Sequence, residues 1–271
     1  EDLLISGCNL AVADAVQLSS IRLEAITLAG WPIELGAVRS GEMLSVIVNN
    51  TELSDAEGAV LGEMLKASTT LEDLDLTGCL CSGACLQSIT EGLAASKAPL
   101  KTLNVARLNH GYGDVGLSER LARLLRAVCS KASIERIDIS EQQGGASGAS
   151  LVTAAVVKAV CEALVREGSA LRMLSMGGNG AWGEGAFAPL HEVLSATPQA
   201  LEKLGLKLDL SGSDLGKAEA LLLASSGCAS LRLGGWMMPL AASRQQAFLS
   251  ADKGSSLSDA EGAVLGEMLK A

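Results

Sequence analysis

Aromatic side chains are almost missing from this 271-residue chain: three Trp, two Phe and one Tyr, or 2%. A core of ordinary size must then be built from Leu, Ala and Val, the apolar types left to bury area. Histidine is as scarce, with His110 and His191 alone. No nucleophile elbow, His-Glu-x-x-His zinc motif, phosphate-binding loop or kinase signature is present, so nothing in the motifs argues for an enzyme or a cofactor. Basic residues are outnumbered: 21 Lys and Arg against 31 Asp and Glu give 21 − 31 = −10. A general nucleic-acid binder needs the opposite balance to neutralise phosphates. Long apolar runs are lacking too. The longest charge-free stretch, Gln142 to Val157, has 16 residues, 12 of them Gly, Ser, Thr, Gln or Ala, too short and too polar to span a bilayer. The chain opens on Glu1, inside what reads as a repeat, and is expected to be a fragment of a longer protein.

Apolar residues make up 48% of the chain, which excludes a disordered polymer. Its cysteines are Cys8, Cys79, Cys81, Cys85, Cys129, Cys161 and Cys228. Seven is odd and the chain is long, so a disulfide framework is not expected. Most of them have apolar neighbours and read as small buried hydrophobes. A reducing, cytoplasmic setting is the expectation, against which stands one glycosylation-type triplet, Asn49-Asn50-Thr51.

One phrase recurs, Leu-x-x-Leu-x-Leu-x-x-(Asn/Cys/other)-x-Leu, with clear copies from Leu71, Leu100, Ile134 and Leu171. Aligned on positions four and six, nine units emerge, with phrases near 3–10, 23–33, 43–53, 71–81, 100–110, 134–144, 171–181, 205–215 and 228–238. Alternating apolar residues at four and six describe a short strand with one buried face. Position nine lies in the bend that follows, where Asn or Cys satisfies backbone groups; here only Cys8, Cys79 and Asn179 are of those types. Between the strands lie helix patterns. Ser54 and Glu57 form a capping box, followed by Leu61, Met64 and Leu65. Leu117, Leu121, Leu124, Leu125 and Val128 make a second apolar stripe, and Val156, Val157, Val160, Cys161 and Leu164 a third. A further helix is expected over 187–195, with Pro189 in its first turn. Strand, helix, strand at this period implies parallel strands stacked as a solenoid.

The units resemble leucine-rich repeats of the longer, ribonuclease-inhibitor-like class. The resemblance covers residues 1 to 238 and implies a single α/β horseshoe, with a curved parallel sheet on the concave side and helices on the convex side. Residues 239–271 are expected to be a degenerate end. Within it Leu257–Ala271 repeats Leu53–Ala67 residue for residue, LSDAEGAVLGEMLKA. A recent segmental duplication or an accident of gene assembly accounts for that, a duplicated docking helix being the alternative.

In such a fold, position five runs down the middle of the concave face. The candidates there are Asp75, Asn104, Asp138, Ser175, Asp209 and Arg232, with Arg107 and Glu141 beside them. Four strand steps place Asp75 and Asp209 roughly 15–20 Å apart, too far for paired-carboxylate chemistry but suited to a protein or peptide carrying basic or amide groups. The alternative is that an exposed sheet face is simply solvated. Gly-rich insertions at 109–116, 142–150 and 177–185 all follow strands and carry His110, Tyr112 and Trp182. Tyr112 and Trp182 either anchor a partner or fold over the next unit. Cys79, Cys81 and Cys85 coincide with or adjoin core positions, so buried thiols are expected there rather than a metal site. Arg120, Arg123 and Arg126 form a basic ribbon opposite their helix's apolar stripe and read as a solvated face. The preferred reading is a non-enzymatic protein-interaction scaffold, with no cofactor, metal, nucleic acid or membrane partner. Two others remain: a small-GTPase regulator similar to Ran GTPase-activating proteins, for which only Arg107 and Asn109 are suitable loop residues, and the repeat segment of a larger sensor.

Overall fold

The computed structural model describes residues 2–4, 25–28, 31–34, 43–108, 116–142, 151–180, 182, 185–196, 205–213, 217–226, 228–233, 237–238 and 259–268, together with 13–14, 17, 37, 40–41, 215 and 240. It is an α/β protein in which short strands alternate with helices. Strands β4 (Ser45–Ile47), β6 (Asp73–Asp75), β8 (Thr102–Asn104), β9 (Arg136–Asp138), β10 (Met173–Ser175), β11 (Lys207–Asp209) and β12 (Ser230–Arg232) form one parallel ladder. Its register is uniform, with Val46, Leu74, Leu103, Ile137, Leu174, Leu208 and Leu231 side by side. These position-four residues, and the position-six residues Val48, Leu76, Val105, Ile139, Met176 and Leu210, are all at most 3% exposed. Strand pleating sends them to one side, into the core shared with the helices, and the residues between them to the other.

The nine strand phrases do not enter one sheet. β1 (Asp2–Leu4) and β2 (Ala25–Leu28) pair in parallel, but β3 (Trp31–Glu34) folds back antiparallel on β2. With β1 on one edge of β2 and β3 on the other, no edge is left for β4, and the ladder restarts there. At the far end β13 (Met237–Met238) pairs antiparallel with β12 and closes that edge. Just past the bends, β5 (Glu52–Leu53) pairs in parallel with β7 (Leu80–Cys81).

The helices with both ends among the described residues are α1 (Asp55–Ala67), α2 (Gly83–Ala95), α3 (Leu117–Cys129), α4 (Ala154–Leu164), α5 (Phe187–Ala196), α6 (Lys217–Ser225) and α7 (Asp259–Met268). Each packs on its neighbours in chain order. The capping box forms: the Glu57 amide donates to Ser54 Oγ at 3.3 Å, and the Ser54 amide to Glu57 Oε2 at 2.7 Å. Ser82 caps α2, accepting from the amides of Ala84 and Cys85. Pro189 sits in the first turn of α5, where its missing N–H costs no intrahelical bond.

Helices α1 and α2 meet backbone to backbone. A Cβ on Gly58 would lie 2.5 Å from Cys85 Sγ and 2.7 Å from Cys85 Cα, and one on Gly62 would lie 2.9 Å from the carbonyl carbon of Ser88. From the other side, a Cβ on Gly92 would lie 2.7 Å from the carbonyl carbon of Gly62. Only glycine lets the two helices approach this closely.

Candidate binding face

The ladder register sets the position-five residues in a single row, Ile47, Asp75, Asn104, Asp138, Ser175, Asp209 and Arg232. Beside it runs a position-three row of Ser45, Asp73, Thr102, Arg136, Met173, Lys207 and Ser230. Asp75 and Asp209 are four strand steps apart, about 19 Å at ordinary inter-strand spacing.

Much of the acidity of this row is turned inward. Asp75 Oδ1 accepts from the Thr77 amide at 2.9 Å and from the Thr77 hydroxyl at 2.5 Å. Asn104 Oδ1 accepts from the Ala106 amide at 3.0 Å, and Asp138 Oδ1 from the Ser140 amide at 2.9 Å. Asp209 Oδ1 takes the Ser211 amide at 3.0 Å and the Ser211 hydroxyl at 2.7 Å. Each side chain therefore caps the bend that leaves its own strand, which is what short Asx side chains do where a ladder ends.

Access differs along the row. Asp75, Asn104 and Asp138 are half-buried, whereas Ser175 and Asp209 are buried at 6% and 8% exposure. Asp209 also gives its second oxygen to Arg232, whose Nη1 lies 3.3 Å from Oδ2. Ser175 and Asp209, named from the sequence as position-five candidates, are therefore not open: the Arg232–Asp209 pair and the crowded Gly177–Ser211 turn close that half. Ile47 is 52% exposed at the opposite end, next to Leu44 at 53%.

Arg107 and Glu141 stand at position eight of adjacent units, exposed and paired at 3.6 Å from Arg107 Nε to Glu141 Oε2. Both have left-handed backbone, φ 52° and 53°, where the other units carry Asn50, Gly78, Gly178 and Gly212. Asn109, the second residue of the GTPase-regulator comparison, lies outside the described residues, as do His110 and Tyr112.

Trp182 is not an exposed anchor. It is half-buried against the core, its ring 6.0 Å from that of Phe187, and its Nε1–H donates to Ser213 Oγ of the next unit at 3.2 Å. An indole with a partner for its only N–H, placed over an apolar neighbour, is satisfied within its own chain.

The bends hold the position-nine ladder, with one rung that a search by residue type missed. Cys79 donates to the Val48 carbonyl, Gln142 Nε2 to Val105 at 2.6 Å, and Asn179 Nδ2 to Ile139 at 3.2 Å. All three are position nine, and all three reach a position-six carbonyl of the preceding unit. Gln142 does the work of Asn with one more methylene, so the ladder is fuller than a search for Asn and Cys suggests. The Asn179 Oδ1 accepts from the Gln142 amide at 2.7 Å, joining two of its rungs.

The thiols belong to the core. Cys79, Cys81 and Cys85 are at most 2% exposed. Burial pushes Cys79 up to about 11, and Cys129 and Cys161 up to about 12. Cys85 is raised further by its hydrogen bond with Cys81 and by burial. Among the described residues, no group of three or more His, Cys, Asp or Glu is placed to hold a metal ion. Nor is any helix among them long and apolar enough to cross a membrane. On α3, Arg123 and Arg126 share Glu119, each at 3.6 Å, at the surface.

No family model matches the chain, and no curated protein is similar to it. Among solved structures, an internalin from Listeria monocytogenes str. 4b F2365 is similar over 83% of this chain and 88% of its own, at 12% identity and a TM-score of 0.17. Superposition at that score does not establish a common fold.

Proposed function

We propose that the chain is a leucine-rich repeat scaffold of the ribonuclease-inhibitor-like class, a horseshoe whose open sheet face binds another protein in the cytoplasm, without catalysis. The observation that carries this reading is the accessible half of the position-five row. Asp75, Asn104 and Asp138 stand on adjacent strands, half-exposed, each with only one side-chain oxygen committed to its own bend. Asp73, Thr102 and the exposed Arg136 flank them in register. The Asp75 and Asp138 carboxylates keep a second oxygen for a partner's ammonium, guanidinium or amide group, and fixed bends hold these groups in place before binding. Preorganised side chains of this kind lose little entropy on contact. Ser175, Asp209 and Trp182 serve it by shape rather than by contact.

The test keeps the bends and removes the charge. Asp75→Asn with Asp138→Asn retains an oxygen for each backbone amide, so the melting temperature should hold. Binding to the partner recovered from source cells and then purified should fall, and the unaltered chain should bind it less tightly as salt rises. A partner that binds the double variant at full strength, with no dependence on salt, would place the interface elsewhere.

A further inference from the structure

Asn179 and Gly180 form the one Asn-Gly pair in the chain. Such a pair reacts slowly in water. The backbone nitrogen that follows an asparagine attacks the side-chain carbonyl carbon, and a glycine there, with no Cβ, leaves the approach open. Cγ gains a bond to that nitrogen and loses its bond to Nδ2, which departs as ammonia with the nitrogen's proton. Water then opens either C–N bond of the succinimide and leaves aspartate or isoaspartate. One water is consumed and one ammonia released. The fold puts this pair where the amide is fully used. Asn179 Nδ2 donates to the Ile139 carbonyl at 3.2 Å and to the Met176 carbonyl at 2.6 Å, and Oδ1 accepts from the Gln142 amide at 2.7 Å. Gly180 is itself bridged to Ser213 of the next unit. Ring closure must carry Cγ onto the Gly180 nitrogen, which these bonds resist. The reaction therefore waits for the bend to open. Gly177, Gly178 and Gly180 surround Asn179, and glycine gains more backbone freedom on release than any other residue.

We propose that Asn179 is a modification site, converted by water to aspartate and isoaspartate when its bend opens, and that the conversion permanently unpins the β10 unit from the β9 unit at that bend. The product cannot rebuild the rung. A carboxylate oxygen in the place of Nδ2 faces the Ile139 and Met176 carbonyls, acceptor against acceptors, with a negative charge added. Isoaspartate also adds a methylene to the main chain between the bend and Trp182, which is tied to Ser213. Opening of the bend is reversible until the ammonia leaves, and the chain then carries a lasting record of it. Neither of the other two described rungs, Cys79 and Gln142, has this chemistry, because neither is an asparagine followed by glycine. The site is separate from the open sheet face and does not rest on the reading given to that face.

The whole chain, unaltered, tests this. It is aged in warm, mildly alkaline buffer, and portions are digested briefly with trypsin. The peptide 173–203 has Asn179 as its one asparagine, and mass spectrometry reads the change from amide to acid on it. The folded chain should react more slowly than the chain in concentrated urea by roughly tenfold or more, since only its opened fraction reacts. The rate should climb already at urea concentrations below the unfolding transition. Anion exchange then separates the converted chains by their added charge, and these should melt earlier than the parent. In concentrated urea, where folding plays no part, Gly180→Ala should remove most of the reaction. Equal rates in the folded and unfolded chain, or no product from the folded chain, overturn the proposal. So does a rate that rises only with global unfolding, a converted chain that melts like the parent, or a Gly180→Ala chain that reacts at the parent's rate.

Discussion

The two copies of LSDAEGAVLGEMLKA are a comparison made within one molecule. Sequence, helix propensity and the Ser and Glu of the capping box are the same in both, and both are helical. Their valines are equally buried, Val60 and Val264 both at 0%. The next residue separates them: Leu61 is 1% exposed, while Leu265 is only half-buried. The glycines separate them further: sealed in α1, they meet no close neighbour among the described residues in α7. Local sequence therefore specifies the helix, and the neighbouring unit specifies how much of it is buried. That is the expected behaviour of a stack in which each unit contacts only its neighbours.

The comparison is broken most directly at the leucines. Leu61→Ala should cost about 2–5 kcal/mol, the range for a fully buried leucine, and Leu265→Ala about 1 kcal/mol, since its site is already half open. Urea unfolding checks both, and equal losses would show that α7 is buried as deeply as α1. Amide exchange on the parent chain should rank the helices the same way, with α7 the faster. The glycines give a smaller effect of opposite sign. Gly62→Ala should cost about 1–3 kcal/mol by forcing α1 and α2 apart. Gly266→Ala should gain about 0.5–1 kcal/mol, because alanine is the better helix former where nothing among the described residues crowds it. Alkylation of Cys85, shielded by that seam in the parent chain, should quicken in Gly62→Ala and not in Gly266→Ala. The smallest change tests the cap. Ser54→Ala should cost about 1 kcal/mol. If it brought α1 to the exchange rate of α7, the cap rather than the packing would hold the first copy in place.

The strand phrases and helix stripes were legible because burial imposes a period, and a period survives in sequence. Leu74 with Leu76 and Ile137 with Ile139 fall where the alternation puts them. Ladder ends were not legible. Whether β2 continues the stack depends on β3 taking its edge, and Trp31–Glu34 carries no periodic mark of that role. The inward turn of the acidic row was written in the sequence, but at a spacing of two: Asp75 with Thr77, Asp138 with Ser140, Asp209 with Ser211. A reading that asks which face a residue occupies passes over the bond it makes to its own chain. The α1–α2 seam escaped for a related reason, since glycine contributes nothing to an apolar stripe and shows its purpose only through what it lets approach.

The left-handed bends and the bonds beside them have a mechanical consequence. Each unit hands its backbone to the next through bonds that run across the stack: Val48 to Asp75, Leu76 to Asn104, Val105 to Asp138, Ile139 to Ser175, Met176 to Asp209 and Leu210 to Arg232, at 2.8–2.9 Å. Tension pulling the first described unit of the ladder away from the last lies along these bonds, so they are loaded one group after another instead of together. Under such a pull the ladder should peel, a unit at a time, from whichever end is weaker. The span from Leu208 to Leu231 is 231 − 208 = 23 residues and that from Ile137 to Leu174 is 174 − 137 = 37 residues, so each release should lengthen the chain by roughly 80–130 Å at full extension. Stretched singly between two beads, the molecule should pay out in low-force steps whose lengths follow the unequal units, and shorten again as the units restack.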